Sequence, residues 1–294
     1  MNPDTNDIIE MAQQRIEMRK QYAYEQHQAT PKHDSRLWRY AFLGTLLVLT
    51  FALLFTPGLS VEEKMILTVQ GICAQEHNII LGGIQLPICA RCSGIYISTI
   101  ITVIYAWTIG RGRAGRLPKW SISATLAAFV VLMAIDGFNS FFNQVHLPTA
   151  YEPTNELRVL TGLGMGVGMG VVMLMMLNMS LRADVDADMP ILGNWREFIT
   201  LLLITFLVMV AIFGNVDLFG LFAWPFAIMG FLGIIGVMFC VCLLLVAMML
   251  NYENRITRFA DLARPATLAL IPTLLIIGAL SLFRFWLEAQ GLMN

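Results

Sequence analysis

A chain of 294 residues that is 57% hydrophobic and only 13% charged, with a mean hydropathy of +0.68, lies far from the soluble average of about 25% charged. Folded in water it would leave apolar surface uncovered, so an ordinary soluble domain is excluded and the chain belongs in a lipid bilayer. A net charge of -1 gives no basic footprint for nucleic acid, which leaves the bilayer as first partner, with membrane-protein partners or a second copy of the chain left open.

Residues 1–36 are polar, with Ile8, Ile9, Met11 and Ile16 as their aliphatic exceptions. They read as a hydrated cytoplasmic tail ahead of a transmembrane domain over 37–294. The first apolar run stands too far from the start for a signal peptide, and no small-residue cleavage pattern follows it, so it is expected to stay in the mature protein.

A span needs about 20 apolar residues to cross about 30 Å of hydrocarbon. Seven stretches qualify: 37–59, 93–110, 120–142, 158–181, 197–216, 225–250 and 266–287. Trp38, Trp107, Trp120, Trp195, Trp224 and Trp286 mark their ends, where an amphipathic ring prefers the headgroup level. The expected fold class is therefore an all-α, multi-span bundle of about seven helices in the cell inner (plasma) membrane.

Lys and Arg orient it. With the N-terminus inside, fifteen of the 19 fall on the inner side, and only Lys64, Arg91, Arg158 and Arg284 fall outside. This bias predicts N-terminus in and C-terminus out, anchored by the R-G-R-A-G-R-L-P-K loop. The same count decides 62–92: an eighth span there would put the Arg111 to Lys119 loop outside, so the segment reads as interfacial or re-entrant. Gly82, Gly83 and Pro87 suggest irregular backbone, tolerated at that depth only where protein or a watery cavity satisfies it.

Cys73, His77, Cys89, Arg91 and Cys92 then share the outer face. Asp136, Asn139 and Asn143 lie three and four residues apart on one helical face near the outer end of the third span, followed by His146, Glu152, Asn155, Glu156 and Arg158. Asp136 lies 16 residues past Trp120, about 24 Å up a helix. An isolated carboxylate there costs about 2.5–3.5 kcal/mol and finds a partner; Arg158 is the expected one. The pair is read either as a structural bridge or, with Arg91, as catalytic or transport groups.

The cysteines leave three readings open. Cys73, His77, Cys89 and Cys92 can form a Cys3His metal site for zinc, the C-x-x-C pair being a usual half of one. Cys89 and Cys92 can form a redox-active disulfide with Cys73 as the exchanging thiol. Or all three only pack, as Cys240 and Cys242 do among aliphatic neighbours.

P-I-C-A-R-C-S-G-I-Y, preceded by Cys-x-Gln and followed by the I-D-G and N-E-L-R-x-L-T-G-L elements, resembles a family of prokaryotic integral membrane proteins known only as a domain of unknown function. The resemblance covers about residues 65–175. It implies a multi-span fold and a polar site from Cys73, Gln75, Cys89, Arg91, Cys92, Tyr96, Asp136 and Arg158, and implies no reaction. Many members place His directly after the first Cys, where this chain has Ala74 and carries His77 three residues later.

Gly162, Gly166 and Gly170, with Gly164 and Gly168 on a neighbouring line, predict a fourth span packed closely against the second or third. Met165, Met169, Met173 and Met176 form another stripe, read as gap-filling rather than copper-binding. No nucleotide, hydrolase or zinc-protease fingerprint occurs. Three functions remain: a membrane-embedded catalyst or binder with a metal- or thiol-based site at the outer face, a transporter, or a structural or assembly subunit of a larger complex. The transporter is disfavoured because the last three spans carry few polar groups.

Overall fold

The computed structural model describes residues 10–11, 14–19, 21, 32–73, 76–214 and 223–291, the side chains of 32–35 excepted. Gln75, Asp217 and most of the polar tail lie outside the described residues. The rest is a helical bundle with two small two-stranded sheets.

Helix α1 (Lys32–Phe55) ends at Pro57 and Gly58, whose positive φ of 101° turns the chain. Ser60 then starts α2 (Val61–Val69) through a reciprocal cap: its hydroxyl accepts from the Glu63 amide at 3.2 Å, and its own amide donates to the Glu63 carboxylate at 2.7 Å. At nine residues α2 is about 13 Å long, far short of a span. Met65 and Val69 bury its inner face.

Strands β1 (Asn78–Leu81) and β2 (Ile84–Cys89) form an antiparallel hairpin where the sequence suggested irregular backbone. The two-residue turn explains it: Gly82 and Gly83 both take positive φ, 55° and 80°, as a tight hairpin turn twisted to match its strands requires. Ile79, Leu86 and Ile88 are buried in a core shared with α2 and with α7, and Glu62 of α2 accepts the Gln85 amide at 2.8 Å.

Cys89 caps α3 (Ala90–Thr108); β3 (Ala114–Arg116), α4 (Trp120–Gln144), α5 (Asn155–Leu181), β4 (Asp186–Pro190), α6 (Trp195–Phe213), α7 (Ala223–Met249), a 3-10 turn (Phe259–Leu262) and α8 (Ala263–Ala289) follow. Neither pair of strands was expected from the pattern; β3 and β4 run parallel and tie the basic loop to the segment before α6.

Six helices among the described residues are long and apolar enough to cross a membrane: Arg36–Phe55, Trp120–Gln144, Asn155–Leu181, Trp195–Phe213, Ala223–Met249 and Phe259–Ala289. Helix α3, in the place of the expected second span, is not among them. It runs from one end of the bundle to the other but carries Arg91, Ser93, Ser98, Thr99 and Thr102, and the last four are buried against neighbouring helices rather than exposed. Their hydroxyls return to backbone carbonyls one turn back, as in Thr102 to Ser98 at 2.7 Å, and Thr99 also reaches the Gly166 carbonyl of α5 at 3.1 Å.

The α5 glycines explain that closeness. A Cβ at Gly162 would meet the Arg91 carbonyl and one at Gly166 the Ile95 carbonyl, while Gly164 on the neighbouring line lies against Phe129 of α4. So α5 is the central helix, packed most closely on α3 and next on α4. The bundle has two distinct ends. Arg111 with Glu197, the β3–β4 pair and the Arg182–Ile256 bridge occupy one; the hairpin, Asp136, Arg158 and Arg284 occupy the other.

Candidate thiol and guanidinium site

Three separate elements deliver the three cysteines to one point. Cys73 follows the turn after α2, Cys89 ends β2, and Cys92 stands in the first turn of α3, and their sulfur atoms lie within 4.8 Å of one another. The Cys89 amide donates to the Cys73 sulfur at 3.2 Å, and Cys73 is buried. Hydrogen bonds from Cys73 and then Cys92 hold the Cys89 thiol well below the usual thiol range, and the contact with Cys89 pushes the Cys73 thiol up to about 11. The start of α3 adds a positive dipole end, which favours thiolate there.

The Cys73 turn is clamped from the far end of the chain. Arg284 of α8 donates to the carbonyls of Gln70 at 2.8 Å and Cys73 at 2.9 Å, while its Nε holds Glu288 at 2.7 Å. Gly71 in that turn lies directly on the Leu280 and Ser281 backbone, where a Cβ would collide. The spacing of Arg284 and Glu288 makes their i,i+4 contact available from sequence, but the two carbonyls lie over 200 residues away in the chain, so no local signal could have revealed the clamp.

His77 stays apart. It is exposed, its carbonyl accepts the Ala90 amide at 2.8 Å to close the hairpin, and its imidazole is not in the group of sulfur atoms. Partial burial, then the Arg158 charge, lowers its pKa.

Beside the thiols lies a buried charge cluster. Asp136 is 1% exposed, and its partner is Arg91, not the expected Arg158. Nη2 and Nε of Arg91 reach Asp136 Oδ2 at 2.6 and 3.2 Å, and Nη2 also reaches the Ser140 hydroxyl at 2.9 Å. The other carboxylate oxygen accepts the Tyr151 hydroxyl at 2.9 Å, and Thr161 reaches Oδ2 at 3.4 Å. The correction comes from helix azimuth: the first turn of α3 brings Arg91 against α4, whereas Arg158 turns back to Asn155 Oδ1 at 3.0 Å. Arg158 is 6% exposed, and its Nε has no hydrogen-bond partner.

Asn139 shares the Asp136 face, as its spacing predicted, and uses it to fix a loop. Its amide donates to the Tyr151 carbonyl at 2.9 Å and its oxygen accepts the Ala150 amide at 2.8 Å. That loop carries Tyr151, a member that sequence reasoning missed. Burial, then its bond to Asp136, raises the Tyr151 pKa. Asn143, His146, Glu152 and Glu156 are exposed and take no part.

Fold and site together define a multi-pass helical membrane protein with a three-cysteine cluster beside a buried Arg–Asp pair at one end of its bundle. Residues 73–172 match the model of a family described as "Predicted membrane protein (DUF2085)", whose function is unknown. The matched segment holds Cys73, His77, Cys89, Arg91, Cys92, Asp136 and Arg158. No curated protein and no solved structure matches the chain.

Proposed function

We propose that this chain is a seven-span protein of the inner (plasma) membrane, N-terminus in and C-terminus out, with a zinc centre on Cys73, Cys89 and Cys92 at its outer face. The observation that carries the centre is the convergence of three sulfur atoms within 4.8 Å from three different elements. A tetrahedral zinc site with bonds of about 2.3 Å sets sulfurs about 3.8 Å apart, so a contraction of less than about 1 Å completes it. Three protein ligands leave the fourth position open, the arrangement of catalytic rather than closed structural zinc. Arg91 and Arg158, whose charges act on Cys89 and His77, are assigned to orient a polar substrate there, with Asp136 holding Arg91 in place. The orientation is supported by the basic end, which carries the Arg111 to Lys119 loop, and α3 counts as the seventh span because protein, not lipid, surrounds its hydroxyls.

Elemental analysis of the purified, detergent-solubilised protein, beside a count of alkylatable thiols before and after reduction, tests this. About one zinc per chain, with thiols released by chelator, is expected. Metal-free protein with two thiols appearing only on reduction would replace the centre with thiol exchange at Cys89 and Cys92, the reading that the depressed Cys89 pKa favours.

A further inference from the structure

We propose that the gap between α4, α5 and α6 binds an uncharged apolar chain that ends in a hydroxyl, a long-chain alcohol of the bilayer, whose proton is accepted by Tyr151 and Thr161. This rests on the membrane reading above and not on the zinc centre.

The first observation is a cavity of about 740 Å³, within the range of about 300–1,000 Å³ for ligand sites. The buried Leu163 of α5 backs it, and Phe129 of α4, stacked on Phe198 of α6 with ring centroids 6.4 Å apart, closes it toward the basic end of the bundle. Ile135 of α4 with Leu203 and Phe206 of α6 form its rim and are 53%, 58% and 51% exposed. The cavity therefore opens sideways toward hydrocarbon, and an apolar chain can enter from the bilayer.

The second observation specifies the headgroup. Three polar side chains line the cavity, Tyr151, Thr161 and Thr205, and the protein itself takes the proton of each. Tyr151 donates to Asp136 Oδ1 at 2.9 Å, and Thr161 donates to the Leu157 carbonyl at 2.9 Å, with Asp136 Oδ2 at 3.4 Å. Thr205 donates to the Leu202 and Leu201 carbonyls at 3.0 and 3.1 Å. A hydroxyl whose proton is committed still offers lone pairs, so these side chains present acceptors to the cavity and the complementary ligand is a donor. An ether, an ester or a quinone carbonyl brings acceptors alone and would set oxygen against oxygen. A carboxylate or phosphate does the same and also meets the Asp136 charge behind the two hydroxyls. An ammonium can donate, but the charges of Arg91 and Arg158 both act on Tyr151 and outnumber the one carboxylate. An uncharged hydroxyl satisfies the cavity and its polar end together.

The test is photolabelling of the protein in reconstituted bilayers by dodecanol carrying a diazirine at mid-chain, read by peptide mapping, with metal content measured on the same samples. Label should saturate on α4, α5 and α6 around the cavity. Free dodecanol or farnesol should displace it about 5- to 10-fold more effectively than dodecyl methyl ether at matched membrane concentration, the worth of one hydrogen bond; which alcohol is stronger separates a straight-chain from an isoprenoid source. Tyr151→Phe with Thr161→Val should bring alcohol and ether level, and Leu203→Trp should weaken both by filling the cavity. Equal displacement by alcohol and ether overturns the proposal, as does a preference unchanged in Tyr151→Phe with Thr161→Val, or dodecylamine displacing better than dodecanol. Label spread without saturation over every outward helix face would show ordinary lipid contact and overturn it too. Leu203 faces outward on α6, so its variant decides the matter even where the double variant fails to fold: undiminished saturable labelling there refutes the site. No label on any helix would refute the membrane reading and the proposal with it, whereas zinc-free protein with the alcohol preference intact would refute the metal centre alone.

Discussion

Replacing Arg91 by Met should be among the most damaging changes in this molecule. The substitution keeps an apolar stem of similar length and removes the guanidinium from Asp136, which is 1% exposed and receives that group at 2.6 and 3.2 Å. Only Tyr151 at 2.9 Å and Thr161 at 3.4 Å would remain as side-chain donors, too few for a carboxylate sealed from water. Stranding one member of a buried pair costs about 3–5 kcal/mol. Asp136→Leu strands the other member, but Arg91 is 21% exposed and keeps Ser140, so about 1–3 kcal/mol is expected. The double variant Arg91→Met with Asp136→Leu removes both charges and should recover to within about 1 kcal/mol of the parent, since an apolar replacement of a buried pair is often close to neutral. Reversible unfolding in mixed detergent micelles, followed by tryptophan fluorescence, measures all three. If Arg91→Met costs less than about 1 kcal/mol while Arg158→Met costs several, Asp136 pairs with Arg158 and the azimuth argument is wrong.

Cys89→Ser and Cys92→Ser should each abolish bound zinc while leaving membrane insertion intact; full metal content in both would end the metal reading. In metal-free protein Cys89 should be alkylated near pH 6, where an ordinary thiol with pKa of about 8.5 stays protonated, and the stability contributed by this depressed pKa is present above about pH 8.5 and lost as pH falls through the folded value; alkylation that begins only near pH 8 would show the thiol is ordinary. Arg284→Met releases the Gln70 and Cys73 carbonyls, so zinc affinity should fall about 10- to 100-fold, as for other supports of metal ligands, with Cys73 alkylated faster. Gly166→Val drives a side chain into the Ile95 carbonyl and Ser98 and should cost about 1–3 kcal/mol or more, read from the same unfolding titration.

The helical bundle was legible because bilayer thickness imposes one length on every apolar run, and the glycines at spacing four identified α5 as the close-packed helix. The hairpin was not, since four to six apolar residues around Gly82 and Gly83 fit either a short buried strand or a broken interfacial turn, and its partner surface on α7 is distant in sequence. Pairing of Asp136 failed for a different reason. Two arginines sit at the same depth, and only the rotation of α3 and α5 about their own axes selects between them. Tyr151 was hidden because a loop tyrosine carries no periodic signal, although Asn139, which fixes its loop, lay on the face that was read.

Helix α3 carries a consequence for how the chain enters the membrane. Its buried hydroxyls, and Arg91 in its first turn, are costly in lipid until neighbouring helices and Asp136 satisfy them. Its hydroxyls and its closest contacts await α5, more than 60 residues later in synthesis. On the proposed seven-span topology, stable insertion of α3 is therefore coupled to that of α4 and α5. On that topology, reporter fusions that stop near residue 110 should place their tag on the wrong side in a large fraction of molecules, and fusions beyond 181 should report the mature arrangement.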